Sequence, residues 1–110
     1  MNDIFVSIAK DFTITPGGRY IKEGPYSGEL FREQILFPKY IEAKAKGVML
    51  VVNLDGCMGY PSSFLDESFG GLVALVPDED ILKRIKLISD DEPGLIEKVK
   101  KNISDWTEKK

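Results

Sequence analysis

The residue types that most often carry catalysis are scarce in this chain. Its 110 residues include no histidine and a single cysteine, Cys57. Histidine is the commonest general base and the usual pH switch, and a lone cysteine cannot form an internal disulfide. Nucleophilic attack by Cys57 or by a serine would need an unusual base such as lysine. We therefore expect no catalytic dyad, no transition metal and no cofactor, and we do not expect an enzyme.

Carboxylates offer a second kind of chemistry. Asp55, Asp66 and Glu67 carry the oxygen ligands that hard cations bind, usually several at once. No further ligand spacing supports a metal cage, so we interpret them as a strand-end acid, a helix-capping acid and a solvated acid. In this interpretation Ser63 caps a helix, and Asp66, three residues later, completes a weak capping box.

A third group of charged residues lies in the first third of the chain. Glu29 and Arg32 are three residues apart on a predicted helix, a spacing at which most pairs are weak surface ion pairs. With Arg19 they could instead border an anion pocket, for example for a nucleotide phosphate. This alternative predicts a small-molecule or nucleotide-binding domain, or a weak hydrolase. Convergence of the three side chains on one concave pocket would favour it.

Composition excludes some other classes of function. The net charge is −3 with both signs mixed along the chain, so the concentrated positive surface of a nucleic-acid binder is not expected. The longest apolar runs have five residues, far short of the roughly 20 that a membrane-spanning helix needs. No basic segment precedes the first apolar residues, which argues against a secretory signal. We expect one cytoplasmic domain of residues 1–110, whose oligomeric state the sequence leaves open.

Strand and turn signals come first along the chain. The apolar pattern predicts a strand at residues 4–9, with 12–14 as its continuation or as a second strand. Residues 15–18, Thr-Pro-Gly-Gly, are typical of a turn, because proline presets φ and glycine tolerates positive φ. Residues 19–21 would then return as the partner strand of a hairpin.

Helices and strands alternate over the rest of the chain. The unbroken apolar run of residues 48–52 predicts that residues 48–54 form an interior strand that is buried on both faces. Pro38 removes one helical hydrogen bond, so we expect a kink or two short helices there. The predicted elements are a helix capped by Ser27 and ended by Gly47, a strand at 48–55, a helix at 63–76, a strand at 85–89 and a helix after Pro93.

Ser68 is the residue that we single out on the helix at 63–76. On a helical wheel it falls at the edge of the apolar arc that faces the sheet. A phosphate there would add about −1.5 to −2 charges to a partly apolar surface. We therefore predict a protein-docking surface on this rim and the loop before it, with Ser68 as a candidate phosphorylation site; the alternative is a small residue that permits close packing. The predicted partner-binding residues are Phe64, Asp66, Glu67, Ser68, Gly71 and Leu75.

Three stretches of the chain carry a family resemblance. They are Gly17-Gly18-Arg19-Tyr20, the run from Gly24 to Arg32, and the run from Ser62 to Gly70. Together they resemble a bacterial STAS-like family of unknown function, which is distantly similar to the STAS domain of anti-sigma-factor antagonists. The resemblance implies an α/β fold, in which a mixed β-sheet is covered by α-helices and N-terminal strands are followed by alternating helix and strand.

The resemblance also implies a role in signalling. In STAS domains of anti-sigma-factor antagonists, a partner kinase phosphorylates a serine at the start of a helix, which switches the choice of partner. Asp66 and Ser68 match that motif, whereas Glu67 replaces its first serine and Phe69 replaces its glycine. The implied function is that of a non-enzymatic regulator in a bacterial partner-switching module that docks a histidine-kinase-like ATPase. The two departures leave phosphorylation itself open.

Overall fold

The structure is a computed structural model that describes residues 2–108. Met1, Lys109 and Lys110, which the predicted domain at 1–110 includes, lie outside the described residues.

Three parallel strands form the sheet, namely β1 (Ile4–Ser7), β2 (Leu50–Asn53) and β3 (Ile85–Ile88). They lie in the order β1-β2-β3, with Ile4, Leu50 and Ile85 in one row. The apolar strand β2 is therefore the interior strand, as its sequence predicts, and Leu50, Val51 and Val52 are all buried. The predicted α/β class with a helix-covered sheet is confirmed.

Four helices accompany the strands, namely α1 (Ile8–Asp11), α2 (residues 28–46), α3 (residues 62–75) and α4 (Gly94–Glu108). Ser27 caps α2 as predicted, since its Oγ accepts a hydrogen bond from the backbone N–H of Leu30 at 3.1 Å. Gly47 ends α2 in the left-handed conformation with φ of 67°. No helix among residues 2–108 is both long and apolar enough to cross a membrane.

Helices α2 and α3 each contain a π turn. In α2 it spans Arg32–Leu36, and in α3 it spans Asp66–Gly70. The turn in α2 ends just before Pro38, which has no N–H to donate and whose ring would clash with the carbonyl four residues earlier. The helix thus continues across the proline through a wider turn rather than dividing into two short helices. Such turns are frequent at functional sites.

The main core lies on one face of the sheet. Val6, Val52 and Ile85 belong to it, together with apolar side chains from α2, α3 and α4. Phe5 and Val51, which alternate with these residues along their strands, do not belong to it. Because side chains alternate between the two faces of a strand, the four helices and the core occupy one side.

The predicted N-terminal hairpin is wrong. Strand β1 ends at Ser7, whose Oγ accepts a hydrogen bond from the N–H of Lys10 and so caps α1. The segments predicted as strands at residues 12–14 and 19–21 lie instead in a loop that ends in a short 3-10 helix, Ile21–Glu23. That loop is hydrogen-bonded to the segment where α2 begins. The N–H of Gly17 donates to the carbonyl of Tyr26, just before the helix. The described sheet is consequently parallel rather than mixed.

Candidate functional site

The start of α3 differs from the predicted capping arrangement. Pro61 occupies the cap position, and its carbonyl accepts hydrogen bonds from the N–H groups of Phe64 and Leu65. Ser62 and Ser63 are already helical, and no side chain caps the helix. The prediction that Ser63 and Asp66 form a capping box is therefore wrong.

Ser68 is fully buried, at 0 % exposure, so its predicted place on the rim of α3 is wrong. Its Oγ donates to the carbonyl of Phe64 at 2.8 Å and lies 3.3 Å from that of Leu65. A regular wheel misplaces Ser68 because this residue lies inside the π turn, where one turn holds an extra residue. The packing alternative describes its geometry better than the phosphorylation hypothesis does. Whether a kinase ever reaches it stays a prediction.

The acidic pair beside Ser68 is bound within the molecule. Glu67 accepts hydrogen bonds through Oε1 from Arg19 at 3.3 Å and through Oε2 from Arg32 at 2.8 Å. Arg32 also donates to the carbonyl of Glu67 at 2.6 Å. Asp66 lies 2.7 Å from Arg19, which raises the pKa of that guanidinium through their hydrogen bond. Glu67 is thus a nearly buried ion-pair member rather than the predicted solvated acid.

Trp106 of α4 completes this group, which we call the arginine–acid cluster and which comprises Arg19, Arg32, Asp66, Glu67 and Trp106. The indole N–H donates to Oδ1 of Asp66 at 2.8 Å. Two glycines of α3 make room for the cluster. A Cβ on Gly70 would collide with the Trp106 ring, and one on Gly71 would collide with the Arg32 guanidinium.

The alternative anion pocket is not formed by the three residues that were predicted to border it. Arg19 and Arg32 converge on Glu67, where both positive charges meet carboxylates. Glu29 lies apart and accepts a hydrogen bond from the N–H of Ile21 at 2.9 Å. Because the arginines are already paired, the geometry supports an internal clamp rather than an anion-binding site. Sequence spacing alone did not show that Arg32 pairs across to Glu67 rather than along its own helix with Glu29.

Most of the predicted partner-binding residues are inaccessible. Phe64 and Gly71 are buried, and Asp66 and Glu67 belong to the arginine–acid cluster. Of the six predicted residues only Leu75, at 48 % exposure, presents a large apolar surface. The helix edge is therefore not the broad docking surface that the wheel predicts.

An exposed apolar patch lies instead at the carboxyl end of the sheet. Met58, in the loop after β2, is 81 % exposed, and Ile14, in the loop after α1, is 52 % exposed. The N–H of Met58 donates to the carbonyl of Ile14 at 2.8 Å, so the two loops are held together. Tyr60, which is half-buried, and Pro61, which is exposed, line a shallow depression with Met58, and Pro16 borders it although it is buried. We call Ile14, Pro16, Met58, Tyr60 and Pro61 the loop patch.

The loop patch includes part of the predicted docking surface, and its role in docking stays a prediction. The loop before α3 was predicted to contribute to docking, but no residue of it was singled out. The usable signal is Met58 itself, an apolar residue placed between two glycines in a loop that follows a buried strand. Ile14 was missed because its segment was assigned to a strand.

Cys57 lies beside the loop patch as a half-buried free thiol. The Tyr60 hydroxyl donates to the carbonyl of Leu54 at 2.8 Å and lies 3.0 Å from Cys57 Sγ. Burial raises the pKa of the Cys57 thiol and that of the Tyr60 hydroxyl. Because the thiolate is the nucleophilic form, a raised pKa disfavours attack by Cys57.

Carboxylates do not gather into a metal site either. Among residues 2–108 no group of three or more aspartate, glutamate or cysteine side chains is arranged to hold a metal ion. Asp55, the predicted strand-end acid, accepts a hydrogen bond from the N–H of Asp91 at 2.8 Å and so ties two loops together.

Comparison with protein families gives one match. A family described as "STAS-like domain of unknown function (DUF4325)" matches residues 27–95, which is more than half of the chain and includes α2, β2, α3 and β3. Neither the curated proteins nor the solved structures include a significant match.

Proposed function

The chain belongs to the family of STAS-like domains of unknown function, and from this premise we propose that it is a non-enzymatic protein-binding domain of a bacterial signalling module. The proposed partner is a histidine-kinase-like ATPase, and the proposed setting is a partner-switching pathway in the cytoplasm. The observation that carries the proposal is the exposed loop patch around Met58 and Ile14.

The loop patch has the properties of a docking site. Two large apolar side chains, those of Met58 and Ile14, are exposed on loops that are hydrogen-bonded to each other, and contiguous exposed apolar surface marks interaction sites. Methionine suits such a surface because its unbranched thioether adapts to differently shaped partners. The position also fits, because ligands of open α/β sheets bind outside the carboxyl ends of the strands.

The internal pairing of Arg19 and Arg32 with Asp66 and Glu67 supports binding over catalysis. The hydrogen bonds and ion pairs of the arginine–acid cluster connect α3 to α4, to Arg32 of α2 and to the loop before α2. The nucleotide-binding or weak hydrolase alternative through Arg19, Glu29 and Arg32 would require that cluster to open first. We therefore favour the protein-binding proposal.

Affinity capture with point variants tests this proposal. Tagged wild-type protein and its Met58→Asp variant would be used on native lysate, with captured proteins identified by mass spectrometry. We expect a histidine-kinase-like ATPase to be captured by the wild type and lost with Met58→Asp, because a desolvated carboxylate opposes an apolar contact. Ile41→Asp is the matched control, since Ile41 is an exposed apolar residue on α2.

The control should capture the ATPase like the wild type. Equal capture by Met58→Asp and the wild type would contradict the docking role of the loop patch. Capture that contains no ATPase at all would contradict the proposed partner.

A further inference from the structure

Strand β3 forms an edge of the sheet, because among residues 2–108 it pairs with β2 alone. The N–H of Leu50 donates to the carbonyl of Arg84 at 2.8 Å, so Arg84 and every second residue after it bond toward β2. The N–H and C=O groups of Ile85 and Leu87 therefore point away from β2. No hydrogen bond from another described segment reaches them. An edge of this kind can pair with a further strand.

The edge on the other side of the sheet is partly blocked. The N–H of Ile4 donates to the carbonyl of Met49, so Ser7, three residues later, bonds away from β2. Its N–H is taken by Oδ2 of Asp11 at 2.8 Å. A side chain of α1 thus closes the end of β1, whereas β3 has no such cover within the described residues.

A groove of about 530 Å³ runs beside the open edge, between β3 and α4. Its apolar lining includes Leu82, Leu87 and Ile96, which are all half-buried. Leu87 packs against the main core, so the groove opens on the side of the sheet that carries the helices. We call Leu82, Lys86, Leu87, Ile96 and Lys100 the edge groove.

Two lysines give the edge groove a positive charge. Lys86 of β3 and Lys100 of α4 line it, and no acidic side chain among the described residues does. Both lysines are exposed, and neither forms an ion pair within residues 2–108. Opposite charges across an interface favour association. The edge groove therefore suits a segment that carries carboxylates.

The same charge argues against a second copy of this chain as the occupant. A second β3 paired antiparallel at this short edge would bring the two Lys86 side chains close together. Like charges on neighbouring strands are destabilising.

We propose that the edge groove binds an extended segment of a partner protein in which apolar residues alternate with acidic ones. The segment adds a fourth strand to the sheet, with backbone hydrogen bonds to Ile85 and Leu87. Its apolar side chains enter the groove against Leu87 and Ile96, and its carboxylates meet Lys86 and Lys100. The inference goes beyond the proposed function and does not depend on it, because this surface is distinct from the loop patch.

Peptide binding tests the charge preference. The probe is a fluorescein-labelled, end-capped peptide in which valine and glutamate alternate, titrated with the purified chain and followed by fluorescence anisotropy. It should bind with a dissociation constant below about 1 mM, and a valine–lysine peptide of the same length should bind at least tenfold more weakly. No binding of the valine–glutamate peptide would overturn the proposal, as would equal binding of the two.

N-methylation of the probe tests the backbone pairing. Only every second N–H of an added strand faces β3, so methylating either the valine or the glutamate N–H groups blocks one set alone. One methylated peptide should lose at least tenfold in affinity, and the other should stay within about threefold of the parent. Equal binding by both would show that no strand is added and would overturn the proposal.

Variants of the chain locate the site. Lys86→Glu and Lys100→Glu should each weaken binding of the valine–glutamate peptide at least fivefold. Lys10→Glu, at an exposed position of α1 outside the edge groove, makes the same change in net charge and should bind within about twofold of the wild type. Met58→Asp in the loop patch should also bind this peptide like the wild type.

Controls separate these results from damage to the fold and from self-association. All four variants should keep the wild-type melting temperature, because the altered side chains are exposed, and the peptide comparisons need only the wild type. Equal weakening by Lys10→Glu and Lys100→Glu would overturn the proposal. Loss of binding with Met58→Asp would overturn it too, as would a concentration-dependent dimer that the peptide dissociates.

Discussion

At the scale of single residues, the chemistry-bearing side chains of this chain act mainly on the chain itself. Ser68 bonds to its own helix, Cys57 is kept protonated, and Glu67 neutralises two arginines. Residue types typical of functional sites thus stabilise the region behind the loop patch. Two predictions separate this interpretation from a switch at Ser68.

The first concerns Ser68 itself. Ser68→Ala should change the free energy of unfolding by no more than about 1 kcal/mol, because it removes only the hydrogen bond from the Ser68 hydroxyl to the carbonyl of Phe64 in the same helix. Ser68→Asp should lower it by about 3 kcal/mol or more, because it places an unpaired carboxylate at a site with 0 % exposure. Urea unfolding of the two variants measures both. A Ser68→Asp protein as stable as the wild type would show that the side chain reaches solvent, and the switch would regain support.

The second concerns the arginine–acid cluster. Glu67→Gln should destabilise the protein by about 2 kcal/mol or more, because it leaves the nearly buried Arg32 without its carboxylate. Glu42→Gln is the matched control. Glu42 pairs with Lys39 and Lys46 at exposed positions of α2, so Glu42→Gln should unfold at nearly the same urea concentration as the wild type. Equal effects in the two variants would mean that the cluster contributes no more than a surface ion pair.

At the scale of elements, the glycines of α3 set how closely its neighbours approach. Gly70 lies under the Trp106 ring and Gly71 under the Arg32 guanidinium, so α3 packs tightly against both α4 and α2. The same π turn that brings these glycines to the contact also buries Ser68. One irregular turn therefore explains both the burial of the candidate phosphosite and the close packing of three helices.

This packing predicts the effect of adding a methyl group. Gly70→Ala should destabilise the protein by about 1–3 kcal/mol through overpacking against Trp106. It should also shift the fluorescence of Trp106, the chain's single tryptophan, as the ring is displaced. Gly94→Ala in the first turn of α4 is the control, because an added Cβ there meets nothing within 4 Å. The control should leave the fluorescence unchanged and cost no stability, since alanine favours a helix. An unshifted spectrum for Gly70→Ala would argue against the close contact.

Some of the helices and strands could be predicted from the sequence. Apolar periodicity placed α3, α4 and the interior strand β2, because these patterns repeat over many residues and report burial directly. It failed at residues 12–14, where Phe12 packs against the core from a loop while Ile14 is exposed, and at the π turns, where one extra residue breaks the helical period. Such failures are expected where tertiary contacts override local preference.

At the scale of the whole molecule, the sequence indicated a binding domain but placed its surface wrongly. The helix edge near Ser68 was predicted from a regular wheel, whereas the exposed apolar residues lie on two loops that meet at the carboxyl end of the sheet. Ile14 and Met58 are 44 positions apart in the sequence, so their contact was not visible in any local pattern. The family resemblance, by contrast, was correct.

The central claim is that the loop patch binds the partner protein. Isothermal titration of the captured ATPase with the purified domain tests it most directly, using the wild type, Met58→Asp and Ile41→Asp. Met58→Asp should weaken binding at least tenfold, about 1.4 kcal/mol, because Met58 would sit near the centre of the contact. Ile41→Asp should bind like the wild type, and all three proteins should have the same melting temperature. Unchanged affinity for Met58→Asp in a folded protein would contradict the claim.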